Sequence, residues 1–297
     1  MRITNRMMAR TMLSAIERNR AVSARLQMDI ATTKKVRRPS DDPTGVVQID
    51  RFKVLISRNE QYKKNITLMN EFLTNANTAL EQVTDALEEA KNVAVQGASG
   101  TLDSEVRTSL AKQVDQLIDV LLDAGNTKYK NRHIFAGTLT TGTTPYTRTD
   151  DTITYNGNDK SIKGKIGFET EITYNKTGDQ IFNPSGGVDI FAAMVNLKQG
   201  LESNDTAAVQ TTVTDLTSAI EQTFSNQSEL GILQNRLSST EKIIENENIN
   251  FADAVSQIQD SDIVEAVVNS QIIKNAISTG LKAMADIIQT SLVNFVS

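Results

Sequence analysis

Between Gly45 and Gly97 the chain contains neither glycine nor proline. Read there at alternating steps of three and four, it gives Phe52, Leu55, Asn59, Tyr62, Ile66, Met69, Leu73, Ala76, Leu80, Val83, Leu87, Ala90 and Ala94. Twelve of these thirteen positions are apolar or aromatic. A two-residue strand period cannot produce such a seam, so residues 52–94 read as one long amphipathic helix of coiled-coil type. At the α-helical rise it would run roughly 65 Å, more than a compact domain needs. A helix of that length must bury its seam against other long helices, which predicts a mainly α, elongated antiparallel bundle. Asn59 is the single polar seam position, a type of residue that fixes register in coiled coils.

The remaining helices follow from similar stripes. Residues 1–38 lack glycine and proline, and Met8, Met12, Ala15, Val22, Leu26 and Ile30 recur at helical spacing, interrupted by Asn19. Pro39 stops this helix, because the residue before a proline is pushed out of the α region. Asp42 is placed to cap the next helix with Pro43 at its first position, so Pro39-Ser40-Asp41-Asp42-Pro43 reads as a hinge. A further helix starts near Asp103 or Ser104, carries Val106, Leu110, Val114, Leu117, Leu121 and Ala124, and ends at Gly125-Asn126. Helix returns at Asp189 and again after Asn204-Asp205, with Val213, Leu216, Ile220, Phe224, Leu230, Leu233 and Leu237 as its stripe. The last stretch, from Asp262, shows Ile263, Val267, Ile273, Ile277, Leu281, Met284, Ile288, Leu292 and Phe295, interrupted by Ser270.

Composition changes near Tyr129. Eight of the fifteen glycines fall between Gly137 and Gly187, and eight of the fourteen aromatics between Tyr129 and Phe191. Short alternating or β-branched runs around Ile153, Ile162, Ile166 and Ile172, with Asn156-Gly157 as a hairpin signal, predict a small antiparallel β insert. The expected organisation is paired terminal helices over 1–45 and 255–297, a helical rod over 46–130 and 189–254, and a β-rich outer domain over 131–188.

The net charge of −5 is unevenly spread. Residues 1–38 hold ten Lys or Arg against Glu17 and Asp29, whereas residues 231–297 hold four basic and eight acidic side chains. Two amphipathic helices of opposite charge, each poor at burying its face alone, should pair and leave apolar surface for other subunits. Such termini are expected to be disordered in the monomer and to order on assembly. The subunit contacts then fall on Met8, Met12, Val22, Leu26 and Ile30 with Ile273, Ile277, Leu281, Met284, Ile288, Leu292 and Phe295.

Chemistry is sparse. With no cysteine there is neither disulfide nor thiolate site. His133 is the one histidine and reads as structural. No nucleophile elbow, zinc-protease motif or phosphate-binding glycine loop occurs. The paired Asp41-Asp42 lack a downstream Glu for calcium, and Asp150-Asp151 reads as a solvated loop. No enzyme, cofactor or metal is expected. The basic N-terminus lacks the interleaved aromatics of a nucleic-acid surface, no apolar run is long enough to insert in a membrane, and no cleavable secretory signal is visible.

Five segments carry a resemblance. Met1-Arg2-Ile3-Thr4-Asn5-Arg6-Met7-Met8, Pro39-Ser40-Asp41-Asp42-Pro43 and Asn131-Arg132-His133-Ile134-Phe135-Ala136-Gly137-Thr138 occur in order, followed by Ser261-Asp262-Ile263-Val264-Glu265-Ala266 and Thr290-Ser291-Leu292-Val293-Asn294-Phe295. They resemble the flagellar hook–filament junction family, the FlgL type of hook-associated protein in the flagellin superfamily. Thr33 stands where that family usually has glycine, and Thr44-Gly45-Val46-Val47 replaces a more alanine-rich run. The resemblance implies a flagellin-like fold and a structural adaptor of the bacterial flagellum. It implies a ring of copies of itself between the hook-side junction protein and flagellin, at the extracellular hook–filament junction. It also implies export through the flagellar type III apparatus, with a cytoplasmic export chaperone on the C-terminal helix. A flagellin-like filament subunit is the nearer alternative, and a non-flagellar coiled-coil interaction protein the more distant one.

Overall fold

A computed structural model describes the backbone of residues 5–296 and the side chains of residues 7–286. Seven helices are present among the described residues: α1 (Asn5–Thr32), α2 (Pro43–Gly97), α3 (Ser104–Gly125), α4 (Gly178–Phe182), α5 (Ile190–Glu202), α6 (Thr206–Gln259) and α7 (Ile263–Val296). α2 and α6 contain 55 and 54 residues. The chain is mainly α, as its periodicity predicts.

Helix boundaries are chemically marked. The Asp42 carboxylate accepts from the backbone N–H groups of Thr44 and Gly45 at 3.1 and 3.0 Å, capping α2 with Pro43 as its first residue. Asp205 caps α6 through Ala207 and Ala208, and Asp262 caps α7 through Val264 and Glu265. Each cap satisfies N–H groups that the first helical turn leaves without partners.

The chain divides into two compact units, Met1–Arg58 with Asn246–Ser297, and Asn59–Glu245. In the central unit the α2 seam is buried from Ile66 through Met69, Leu73, Ala76, Leu80, Val83, Leu87 and Ala90 to Ala94. Across from it, α6 buries Val209, Thr212, Leu216, Ala219, Thr223, Asn226, Leu230, Leu237 and Ile244. That row has heptad steps, but it differs from the apolar stripe read from the sequence: Phe224 lies outside it and is 50% exposed. Polar residues can occupy the seam because each bonds its own helix. Thr212 Oγ1 donates to the Val209 carbonyl at 2.7 Å, Thr223 Oγ1 to Ala219 at 2.9 Å and Asn226 Nδ2 to Gln222 at 3.0 Å. Satisfied in this way, they enter the interior without the cost of an orphaned polar group.

The β insert consists of three separate antiparallel hairpins rather than one sheet: β1 (Lys128–Tyr129) with β2 (Arg132–His133), β3 (Tyr146–Thr149) with β4 (Thr152–Tyr155), and β5 (Lys163–Lys165) with β6 (Glu171–Thr173). The β3–β4 turn is Asp150-Asp151, with Asp150 at φ 55°; Asn156-Gly157 follows the hairpin instead of closing it. Tyr146, Phe182 and Phe191 pack together near the hairpin base, with ring centroids 4.9–5.1 Å apart and the two phenylalanines stacked. Burial among these rings raises the Tyr146 phenol well above its ordinary pKa.

Candidate subunit interface

In the terminal unit α1 packs on α7. Their order is antiparallel, because Lys34 bridges to Asp260 at one end while Gly280 faces Ile16 further along. The connecting segments lock together: Lys35 N–H donates to the Gln259 carbonyl at 2.8 Å, and Ser261 N–H to the Thr33 carbonyl at 2.9 Å. The Asp41 carboxylate accepts from the N–H groups of Arg37 and Arg38, which holds its pKa below the usual value and closes the hinge on itself. Arg37 reaches back to the buried Asp29 of α1 at 2.8 Å. Of the other hinge residues, Pro39 and Ser40 are exposed at the loop surface. Phe52 of α2 stacks on Phe251 of α6, with centroids 5.7 Å apart.

The α1 seam reads Ala9, Met12, Ile16, Asn19, Ser23, Leu26 and Ile30, all buried or half-buried and spaced by threes and fours. Opposite it lie Ala266, Ser270, Ile273, Ile277, Gly280 and Met284. The structure therefore brings together six of the residues expected at the interface, namely Met12, Leu26, Ile30, Ile273, Ile277 and Met284. Three others, Met8, Val22 and Leu281, are 41%, 44% and 44% exposed and flank the seam. Ile288, Leu292 and Phe295 lie outside the described side chains. Asn19 and Ser270, which interrupt the apolar stripes, are seam members, and Ser270 is only 4% exposed. Small residues let two helix backbones approach, and a search for large apolar side chains passes over them.

That geometry has a second consequence. A seam of small residues leaves large apolar side chains on the outside: Met7, Leu13 and Met28 on α1, and Val264, Val268 and Ile272 on α7 are exposed. With Met8, Val22 and Leu281 they leave nine large apolar side chains in solvent on the two helices, available for association. Arg10, Arg18, Arg20 and Arg25 are exposed on α1 beside them.

The other candidates have structural roles. His133 is buried with Nδ1 3.0 Å from the Asn126 carbonyl, and desolvation lowers its pKa. Asp151 is no free loop carboxylate: it pairs with Lys198 at 2.7 Å, and Lys198 also reaches Asp115 at 3.0 Å. Arg148 joins Asp115 and reaches Asp119 at 2.7 Å, so the network ties β3 and its turn to α3 and α5. Buried Arg107, which no sequence pattern singled out, donates to the carbonyls of Gly97 and Ser99 and to Asn204, clamping the end of α2 to the α5–α6 turn. Among the described residues no three acidic, His or Cys side chains are grouped to hold a metal, and no helix is long and apolar enough to cross a membrane.

The family model for the bacterial flagellin N-terminal helical region matches residues 3–140, and that for the flagellin C-terminal helical region matches residues 213–296. The chain belongs to the bacterial flagellin family. This flagellin-family chain is 28% identical over 316 residues to flagellar hook-associated protein 3 of Escherichia coli, covering 98% of each. It is 27% identical over 299 residues to the Salmonella typhimurium protein of the same name, covering 93% of each. A flagellar filament 30.7 kDa core protein of Treponema maltophilum is 25% identical over 81% of this chain and 79% of that one. Its fold is shared with the flagellar junction protein FlgL of Legionella pneumophila, at TM-score 0.61 and 18% identity over 72% of this chain and all of that one (100%). The same holds for FlgL of Bacillus cereus, at TM-score 0.59 and 19% identity over 68% and 96%. The homologues are structural flagellar proteins, and this flagellin-family chain is not an enzyme.

Proposed function

We propose that this chain is the structural adaptor at the hook–filament junction, joining the hook-side junction protein to the flagellin filament as a ring of its own copies. The observation that carries this reading is the set of large apolar side chains left exposed on α1 and α7 after the two helices have paired, in a chain that aligns with hook-associated protein 3 over 98% of each. Met8, Val22 and Leu281 are among them, and Ile288, Leu292 and Phe295 continue the α7 stripe in the sequence. Neighbouring copies would cover these residues, while Met12, Leu26, Ile30, Ile273, Ile277 and Met284 hold each copy's own pair together. The paired segments 1–45 and 255–297 would form the assembly core. They would order fully only against neighbours, because a seam rich in Ser, Asn, Ala and Gly buries little apolar area by itself.

In this reading the protein is secreted through the flagellar type III apparatus, with the α7 region held by a cytoplasmic chaperone beforehand. Immuno-electron microscopy of cells tests the placement: label confined to the base of the filament is expected, and label along its length would overturn it. The likeness to a spirochaetal filament core protein favours a second reading, a filament subunit. Long filaments grown from the purified protein alone would select that one.

A further inference from the structure

A groove of about 820 Å³ runs between α2 and the β1–β2 and β5–β6 hairpins, and neither the interface nor the charge network uses it. Its apolar floor is Phe72, with Tyr129 and Tyr174 standing nearly perpendicular to that ring at 87° and 88°. Gly164 lets β5 lie against α2, since a Cβ there would come 2.5 Å from Met69 Sδ. Lys130, Arg132, Lys163 and Lys165 line the same groove, whereas no carboxylate does. Lys130 is already held by Glu71 at 2.9 Å, and Lys165 lies 3.9 Å from Glu171. Among the described residues Arg132 and Lys163 form no ion pair, although the whole chain is acidic. Thr138, whose hydroxyl accepts from Asn158 Nδ2 at 2.8 Å, and Thr140 complete the wall.

We infer that this groove binds an acidic oligosaccharide. Aromatic walls suit the apolar faces of sugar rings, threonine hydroxyls suit their hydroxyls, and an arginine with a lysine suits carboxylate or sulfate groups. The volume is that of a site for a ligand of a few rings, bounded by two hairpins, rather than an extended track for a nucleic-acid strand. The inference does not rest on the junction role, because every residue it uses belongs to the central unit.

Calorimetric titration of the full chain with a heparin tetrasaccharide tests it, alongside uncharged chitotetraose and a short oligothymidylate. Saturable binding of the heparin tetrasaccharide is expected, weakened about tenfold or more in the Arg132→Gln/Lys163→Gln variant. Both side chains are exposed, so thermal unfolding of that variant should match the parent. Thr138→Asp, which places a negative charge in the wall, should abolish binding. Absence of binding at millimolar tetrasaccharide, undiminished binding by the double variant, or equal binding of chitotetraose would each overturn the inference. Tighter binding of oligothymidylate would overturn it in favour of a single-strand site.

Discussion

Thr33 lies in the left-handed region at φ 57°, where a β-branched side chain crowds its own backbone. It sits directly after α1, and its carbonyl accepts the Ser261 N–H, so the conformation is held by the pairing of the two connecting segments. Glycine adopts this region without strain. Thr33→Gly should therefore stabilise the terminal unit by about 1 kcal/mol, visible as a higher denaturant midpoint for the unfolding of α1 and α7. A lower midpoint would show that the threonine side chain contributes more than its strain costs. Asp115 gives a pH-linked case. Hydrogen bonds from Arg148, then Lys198, hold its pKa below the ordinary value of 3.8. A carboxylate depressed in the folded state stabilises above the unfolded pKa, and that contribution is lost as pH falls through the folded value. Acid titration of the parent should show a loss of central-unit stability below about pH 4 that is smaller in Asp115→Asn. Identical acid profiles would mean the network contributes nothing to folding.

At the scale of the helices, what was legible in the sequence depended on how a seam is filled. The α2 seam is written in Ile, Leu, Met, Val and Ala, and its burial follows the spacing from Ile66 to Ala94. The cap of α2 was equally legible, because Asp42 followed by Pro43 leaves few other ways to begin a helix. The α6, α1 and α7 seams were read only in part. Thr223, Asn226, Ser23 and Ser270 are buried although polar, while Phe224 and Val22 are exposed although apolar. Periodicity of hydrophobicity cannot see a threonine that satisfies its hydroxyl on its own helix, nor a phenylalanine reserved for the outside. Asn156-Gly157 is the stronger local turn signal, but the β3–β4 hairpin closes at Asp150-Asp151, with Asp150 at positive φ and Asp151 paired to Lys198. The α7 seam offers a direct check. A Cβ on Gly280 would meet Ile16 Cγ1 and Cδ1 at 3.4 and 3.6 Å, ordinary contact rather than collision. Gly280→Ala should raise the helix content of α7 and stabilise the terminal unit by up to about 1 kcal/mol, as followed by circular dichroism. Gly280→Leu should separate the pair and lower it. A destabilising alanine would place the two backbones closer than this seam has them.

For the whole molecule, the two units predict separable consequences. The central core, from Ile66 on α2 to Ile244 on α6, lies entirely within Asn59–Glu245. Truncation after Ser278 removes Gly280 and Met284 from the α7 seam, and the exposed Leu281 beside it, but no member of that core. The truncated chain should keep the thermal transition of its central unit and lose helix signal from α1, whose seam has lost half its partner. Cells carrying it should bear hooks without attached filaments, since the surface proposed to meet neighbouring copies would be gone. Truncation alone mixes lost pairing with lost surface, so Val22→Asp/Leu281→Asp is the sharper variant. Both positions are exposed in the monomer, and a surface change there should leave stability within about 0.5 kcal/mol. If these residues stay in solvent in the assembled flagellum, motility and filament attachment will be normal. If neighbouring copies cover them, burying two unpaired carboxylates will prevent assembly while the isolated protein melts as before. Electron microscopy of hooks and filaments, with circular dichroism of the purified variant, separates those outcomes.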